Sequence, residues 1–245
     1  MNYVVMLAYN KTDVVEAAIN RLLNRTKDFR DFHFVIVDPS YPLNDDPNSI
    51  WKLYVKYAVE FPTTTYLKID NDGVAGNYNQ VIQHFIFQDN DVVHFFDPDN
   101  NPRDDNYLQT MIKVLQEPKV AYVTLERPDP DVEMLDSVIV NGIECLPVWR
   151  PCSWPMGAFR ADFLKKAYPL NQDNGKWGYF EDFLWRKFRE FGYSAFYLKG
   201  FVDLMIDNIG TGGQDRFYID YQSECAHRLT QELFETWLEK KLKLN

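Results

Sequence analysis

The chain has 245 residues, 46% of them hydrophobic and 25% charged, which is length enough for one domain with a sizeable core and the make-up of a globular protein. A formal net charge of -10 excludes a general nucleic-acid binder, because phosphate backbones are held by clustered Lys and Arg. A protein this acidic needs a metal cation between itself and any nucleotide it handles. The three cysteines, Cys145, Cys152 and Cys225, show no paired C-x-x-C spacing. They predict neither a zinc site nor a disulfide scaffold, and a reducing, cytoplasmic setting follows.

The elements follow in chain order. Met1-Asn2-Tyr3-Val4-Val5-Met6-Leu7 has no basic region before its short apolar run, so it reads as a strand over Val4 to Leu7 rather than as a signal peptide. Asp13 is expected to cap the next helix, with Glu16 completing a capping box. That helix shows an apolar face of Val14, Val15, Ala18, Ile19, Leu22 and Leu23. Strand, helix, strand and helix are predicted over 34–37, 50–59, 66–69 and 74–87, then strand, helix and strand over 92–96, 107–115 and 120–125. The rhythm predicts a mostly parallel sheet with helices on both faces. Ligands in such sheets sit outside the carboxyl ends of the strands, so polar residues just after a strand are the candidates.

The pattern changes after Glu126. Pro128-Asp129-Pro130-Asp131 breaks regular structure, and residues 137–140 and 143–146 flank Asn141-Gly142 as a hairpin. A helix over 180–191 ends at Gly192 as its C-cap. An amphipathic helix is expected over 223–244, its closing Lys240-Lys241-Leu242-Lys243 suiting the negative end of the helix dipole better than a membrane surface. No run approaches the roughly 20 apolar residues of a membrane span.

Phe95-Phe96-Asp97-Pro98-Asp99-Asn100-Asn101-Pro102 sets two carboxylates at the end of an apolar strand. Mg²⁺ and Mn²⁺ take oxygen ligands, and Asp97 and Asp99 can both reach one ion while leaving room for phosphate oxygens. A solvated turn is the plainer alternative. A calcium-binding EF-hand loop is excluded, because its Gly and Glu positions hold Pro102 and Leu108. The aspartyl-phosphate phosphohydrolase pattern, D-x-D-x-[TV] near the N-terminus, is a second reading that Asn101 at the fifth position and the mid-chain location disfavour.

These blocks, in this order, resemble the GT-A glycosyltransferases of the inverting family 2 type. Val5-Met6-Leu7-Ala8-Tyr9-Asn10 is similar to the opening strand and loop that face the nucleotide. Phe34-Val35-Ile36-Val37-Asp38-Pro39-Ser40 resembles the strand ending in an Asp that reads the nucleobase. Asn71-Asp72-Gly73-Val74-Ala75-Gly76-Asn77-Tyr78-Asn79 looks like the family's N-x-G-x-x-x-x-x-N segment, and Asp97-Pro98-Asp99 like its D-x-D turn. Pro155-Met156-Gly157-Ala158-Phe159-Arg160 resembles the acceptor-side Gly. Phe180-Glu181-Asp182-Phe183 resembles the acidic pair that supplies the base.

The resemblance implies a single GT-A domain over 1–245, with a nucleotide-sugar half (1–125), an acceptor half (126–222) and a C-terminal helix (223–245). It implies transfer of a hexosyl or deoxyhexosyl group from a UDP- or dTDP-sugar to a hydroxyl of a glycan or glycoconjugate. It implies Asp182 as base with Glu181 beside it, and Mn²⁺ or Mg²⁺ on Asp99 and Asp97. Ala8, Tyr9, Asn10, Asp38, Asp72, Asn79, Pro98 and Gly157 are the remaining donor and acceptor candidates. Asp38, Glu181 and Asp182 also have plain structural readings, and Asp72 and Asn79 either touch the ribose or hold the loop. Two departures stand out. In place of the family's metal-binding His the chain offers Asp207 or Asn208, so that either of them ligates through oxygen or the position contributes nothing, and the family's Arg before Asn79 is Tyr78. Trp154, Trp177 and Tyr179 could stack on sugar rings, with core packing the competing role. The competing functions are a binding module without catalysis and a sugar-nucleotide pyrophosphorylase, whose Gly-rich, Arg-bearing first loop Ala8-Tyr9-Asn10-Lys11 does not match.

Overall fold

The structure, a computed structural model, describes residues 1–9, 12–27, 29–40, 49–126, 136–148, 156–170 and 180–203. The elements are β1 (Asn2–Leu7), α1 (Thr12–Arg25), β2 (His33–Asp38), α2 (Ser49–Tyr57), β3 (Thr64–Lys68), α3 (Gly73–His84), β4 (Val92–Phe96), α4 (Tyr107–Leu115) and β5 (Val120–Glu126). There follow β6 (Val138–Val140), β7 (Ile143–Pro147), β8 (Met156–Arg160), α5 (Ala161–Ala167), α6 (Phe180–Phe191) and β9 (Ser194–Val202). The expected helix over 223–244, the break at 128–131, and Asn10, Trp154, Trp177, Tyr179, Asp207 and Asn208 lie outside the described residues.

One sheet of nine strands runs β3-β2-β1-β4-β8-β5-β9-β7-β6. The first four strands are mutually parallel. β8 then enters antiparallel between β4 and β5, and β9 returns parallel to β5. β1, β2, β3, β4, β5 and β9 therefore all end at one edge of the sheet.

Period-2 alternation splits the core in two. Val4 and Met6 of β1 and Phe34 and Ile36 of β2 face the layer of α1, α2 and α4. Tyr3, Val5, Val35 and Val37 face α3, α5 and α6. Each fully buried Leu or Phe in these layers, Leu22 or Phe163 for example, contributes about 1.5–3 kcal/mol over an exposed one. The hairpin turn forms as its Asn-Gly pair requires, with φ of 49° at Asn141 and 78° at Gly142. No helix among the described residues is long and apolar enough to cross a membrane.

Three expectations need correction. α1 starts at Thr12, so Asp13 lies inside its first turn instead of capping it. Glu16 does not close a capping box. Its carboxylate accepts from Lys56 at 2.5 Å and from the Tyr57 hydroxyl at 3.0 Å, tying α1 to α2. α3 stops at His84, three residues short of the expected end, because Phe85 turns extended. Phe85 and Phe87 there pack on Tyr3 at ring distances of 5.6 and 4.9 Å. β8, α5 and β9 were not anticipated as elements.

Candidate active site

The shared carboxyl edge gathers the candidates from β1, β2 and β4. Ala8, fully buried, donates its N–H to the Val37 carbonyl at 2.7 Å and accepts from the Ser40 hydroxyl at 3.4 Å. The loops after β1 and β2 are thereby fastened together. Tyr9 follows Ala8 at this edge.

Asp97 to Asn100 form a β-turn with Pro98 at its second position, closed by the Asn100 N–H on the Asp97 carbonyl at 3.0 Å. Asn100 points inward and is fully buried, while Asp97 and Asp99 are half-buried. The Asn100 side-chain oxygen accepts from the Asp97 N–H at 2.9 Å. From α1, Arg21 donates to the carbonyls of Pro98 at 2.5 Å and Asn100 at 3.3 Å, and Arg25 to the Asn101 side chain at 3.1 Å. Burial, then the neighbouring Arg25, pull the Arg21 guanidinium below its ordinary pKa, and the charges of Asp99 and Asp203 work against that shift. Among the described residues no three His, Cys, Asp or Glu side chains gather as a metal cluster. Asp97 and Asp99 are a two-carboxylate donor set, of the hard-oxygen type that Mg²⁺ or Mn²⁺ takes.

Asp38 is 1% exposed. One carboxylate oxygen accepts from the Ser40 N–H at 2.9 Å. The other accepts from the Tyr66 hydroxyl at 2.6 Å and pairs with Lys68 at 3.2 Å. Burial first, and then Asp38, push the Tyr66 phenol above its ordinary pKa. A carboxylate offers about four acceptor positions, and these contacts take most of them. Reading a base through Asp38 therefore asks Lys68, its exposed partner, to yield.

In the segment 71–79, the Asp72 N–H donates to the buried Asn77 side chain at 3.0 Å, and the Asp72 carboxylate makes no capping bond to α3. The sharp entry into α3 needs Gly73, whose φ is 73°. Asn79 gives its amide to the Leu170 carbonyl at 2.9 Å and accepts the Leu170 N–H at 2.7 Å, so it holds the chain after α5 against α3. Tyr78 stands in the core with its ring 4.1 Å from that of Phe95.

Gly157 lies within the sheet, opposite Phe95 on one side and Thr124 on the other. A Cβ there would fall 1.9 Å from the Tyr122 ring, so Gly is what lets that ring cross β8. Glu181 and Asp182 fall in the first turn of α6, and their side chains lie outside what is described. α6 joins β9 through the tight turn at Gly192, with the Tyr193 N–H on the Phe188 carbonyl at 2.8 Å. The helix therefore runs against β9, and its start lies at the carboxyl edge with the acidic turn.

Sequence reasoning missed Asp203, Asn100 and Arg21. Asp203 follows β9 as Asp97 follows β4, but a register shift near Gly200 hid the strand. Its buried carboxylate accepts from the Asn100 side chain at 3.0 Å and from the Asn101 N–H at 2.8 Å.

No curated protein sequence matches the chain. Among solved structures, a mannosyltransferase from Pyrobaculum calidifontis in complex with GDP-Man and Mn²⁺ is similar at 18% identity and a TM-score of 0.62, over 85% of this chain and 58% of that one. S. aureus TarS in complex with UDP is similar at 14% identity and a TM-score of 0.59, over 82% of this chain and 59% of its own. GalNAc-T7 with UDP, GalNAc and Mn²⁺ gives 10% identity and a TM-score of 0.63, over 83% of this chain and 43% of its own. The chain thus spans less than two thirds of these proteins, and at such identities the likeness speaks for the fold alone. The sequence profile described as Glycosyl transferase family 2 matches residues 3–182. With a family profile covering most of its length and a sheet of this order, the chain belongs to glycosyl transferase family 2 and has the GT-A fold.

Proposed function

We propose that the chain is a metal-dependent, inverting glycosyltransferase, moving a hexosyl or deoxyhexosyl group from a nucleoside diphosphate sugar to a hydroxyl of a glycan or glycoconjugate. The observation that carries the reading is the braced turn that presents Asp97 and Asp99 at the carboxyl end of β4, in a family 2 chain. A divalent ion, Mn²⁺ or Mg²⁺, held by Asp99 and Asp97 would supply neutralisation of the charge that develops on the leaving diphosphate. Similar structures carry Mn²⁺ with GDP-Man or UDP, which supports the same ligand class here.

The chain's own groups divide the remaining work. Asp182 takes the proton of the attacking hydroxyl, which becomes acidic as the new bond forms, and Glu181 orients it. Asp38 favours bases with a ring N–H, such as uracil or thymine, over adenine. The segment from Ala8 to Asn10, with Asp72, is assigned to the nucleoside side, while Asn79 and Gly157 act as packing residues, through Leu170 and the Tyr122 ring. Asn208, or Asp207 beside it, would add a further oxygen ligand to the ion. Calorimetric titration of UDP, dTDP and GDP with Mn²⁺ and with EDTA tests the reading. Binding should require the cation, and Asp99→Asn should remove most of that dependence. Equal affinity in EDTA would contradict it.

A further inference from the structure

We propose that Asp203 is the positioning residue of the acidic turn, acting through Asn100 to fix where Asp97 and Asp99 present their carboxylates; the inference rests on the metal-dependent reading above.

The turn leaves β4 and crosses the ends of β8 and β5 before α4 begins. At the far side it meets the end of β9, where Pro102 bridges Asp203 and the Arg103 N–H donates to the Val202 carbonyl at 3.2 Å. Asp203 is itself anchored by its N–H to the Glu126 carbonyl of β5 at 3.0 Å. Asp203 is 2% exposed. Removing a carboxylate from water is costly unless donors meet it. Here two successive residues of the turn do so, one oxygen taking the Asn100 amide and the other the Asn101 N–H.

That pattern explains why the residue is an Asp. Two donors need two acceptors on one planar group, and Asn at 203 would turn its amide N–H₂ toward one of them. Asn100 carries the constraint onward, because the same carboxamide accepts the Asp97 N–H at 2.9 Å. Arg21 holds the turn from the α1 side through the carbonyls of Pro98 and Asn100. These contacts go to the turn's backbone and to Asn100. The three side chains, Arg21, Asn100 and Asp203, sit about 80 to 180 positions apart along the chain, so the brace is a tertiary device and not local turn chemistry.

The donor and acceptor roles can be exchanged. Asp203→Asn leaves one donor facing another, and Asn100→Asp sets two carboxylates against each other. Made together, the two changes restore all three hydrogen bonds with the same net charge. The experiment is calorimetry of UDP and GDP with Mn²⁺ and with EDTA on the wild type, both single variants and the swap, with a melting curve for each. Each single variant should lose at least about tenfold in Mn²⁺-dependent affinity, the scale of one hydrogen bond to a charged group. The swap should return to within about threefold of the wild type. Affinity is read on folded molecules, so lost stability alone does not mimic the result. Should the single variants fail to fold, the swap decides: wild-type affinity supports the proposal, and weakened affinity overturns it. Asp203→Asn with undiminished Mn²⁺-dependent binding overturns the inference alone. A wild type indifferent to Mn²⁺ overturns the metal reading, and the inference falls with it.

Discussion

Gly157 shows how a single side-chain hydrogen can decide packing at this sheet. Tyr122 lies across it, with its ring 4.6 Å from Phe159 and 5.9 Å from Phe188, so the ring has no room to retreat. On the other side of the strand pair, the Gly157 carbonyl accepts from the buried His94 Nδ1 at 3.1 Å. Burial pushes the His94 pKa down to about 4, and the imidazole is neutral at neutral pH. Gly157→Ala is expected to destabilise the protein by about 1–3 kcal/mol through overpacking. Urea unfolding of the two proteins measures it, and unchanged stability would contradict this account of Tyr122. The residue itself was visible in the sequence, but its neighbour was not, because Tyr122 and Gly157 meet only through the antiparallel entry of β8. The same limit hid Asp203. Rules that look for polar residues after a strand found Asp38 and Asp97, whose strands are apolar runs broken only by the buried His94 of β4. They missed Asp203 because Lys199 and Gly200 interrupt β9 where its register shifts.

The elements were most legible where local chemistry alone determines them. β4, α4 and α6 end where the apolar pattern does, and Gly192, at a φ of 69°, closes α6 as a C-cap. Local rules failed where a tertiary partner competed. Glu16 had a capping role open to it and instead bonds Lys56 and Tyr57 of α2. Phe85 and Phe87 leave the helical pattern to cover Tyr3. α6 carries the prediction that belongs at this scale. Its first turn lies at the carboxyl edge, and Leu184 and Phe188, both buried, fasten it to the sheet, so a base on that turn would be held on a rigid support. Asp182→Asn should keep nucleotide affinity while transfer falls by at least about 10²-fold, and Glu181→Gln should cost less. Transfer rate measured beside calorimetric donor affinity checks it. Near-normal turnover by Asp182→Asn would move the base to Glu181.

At the scale of the molecule, alternating strands and helices were sufficient to place helices on both faces and the candidates at one edge. The antiparallel strand β8 between β4 and β5 was beyond that pattern, since a five-residue strand running directly into α5 has no turn signal of its own. With β5, that insertion sets the ends of β4 and β9 two strands apart and leaves the acidic turn to span the gap, braced by Arg21 and Asp203. The whole arrangement exists, on this account, to bind a nucleotide sugar through a cation and to release its diphosphate. The direct measurement is product formation from a panel of UDP-, dTDP- and GDP-sugars with a glycan acceptor, in Mn²⁺ and in EDTA. The account predicts a glycosylated acceptor and free nucleoside diphosphate in equal amounts, in Mn²⁺ only, with the anomeric configuration inverted. Transfer that proceeds equally well in EDTA, or a donor that binds with Mn²⁺ and is never turned over, would contradict it.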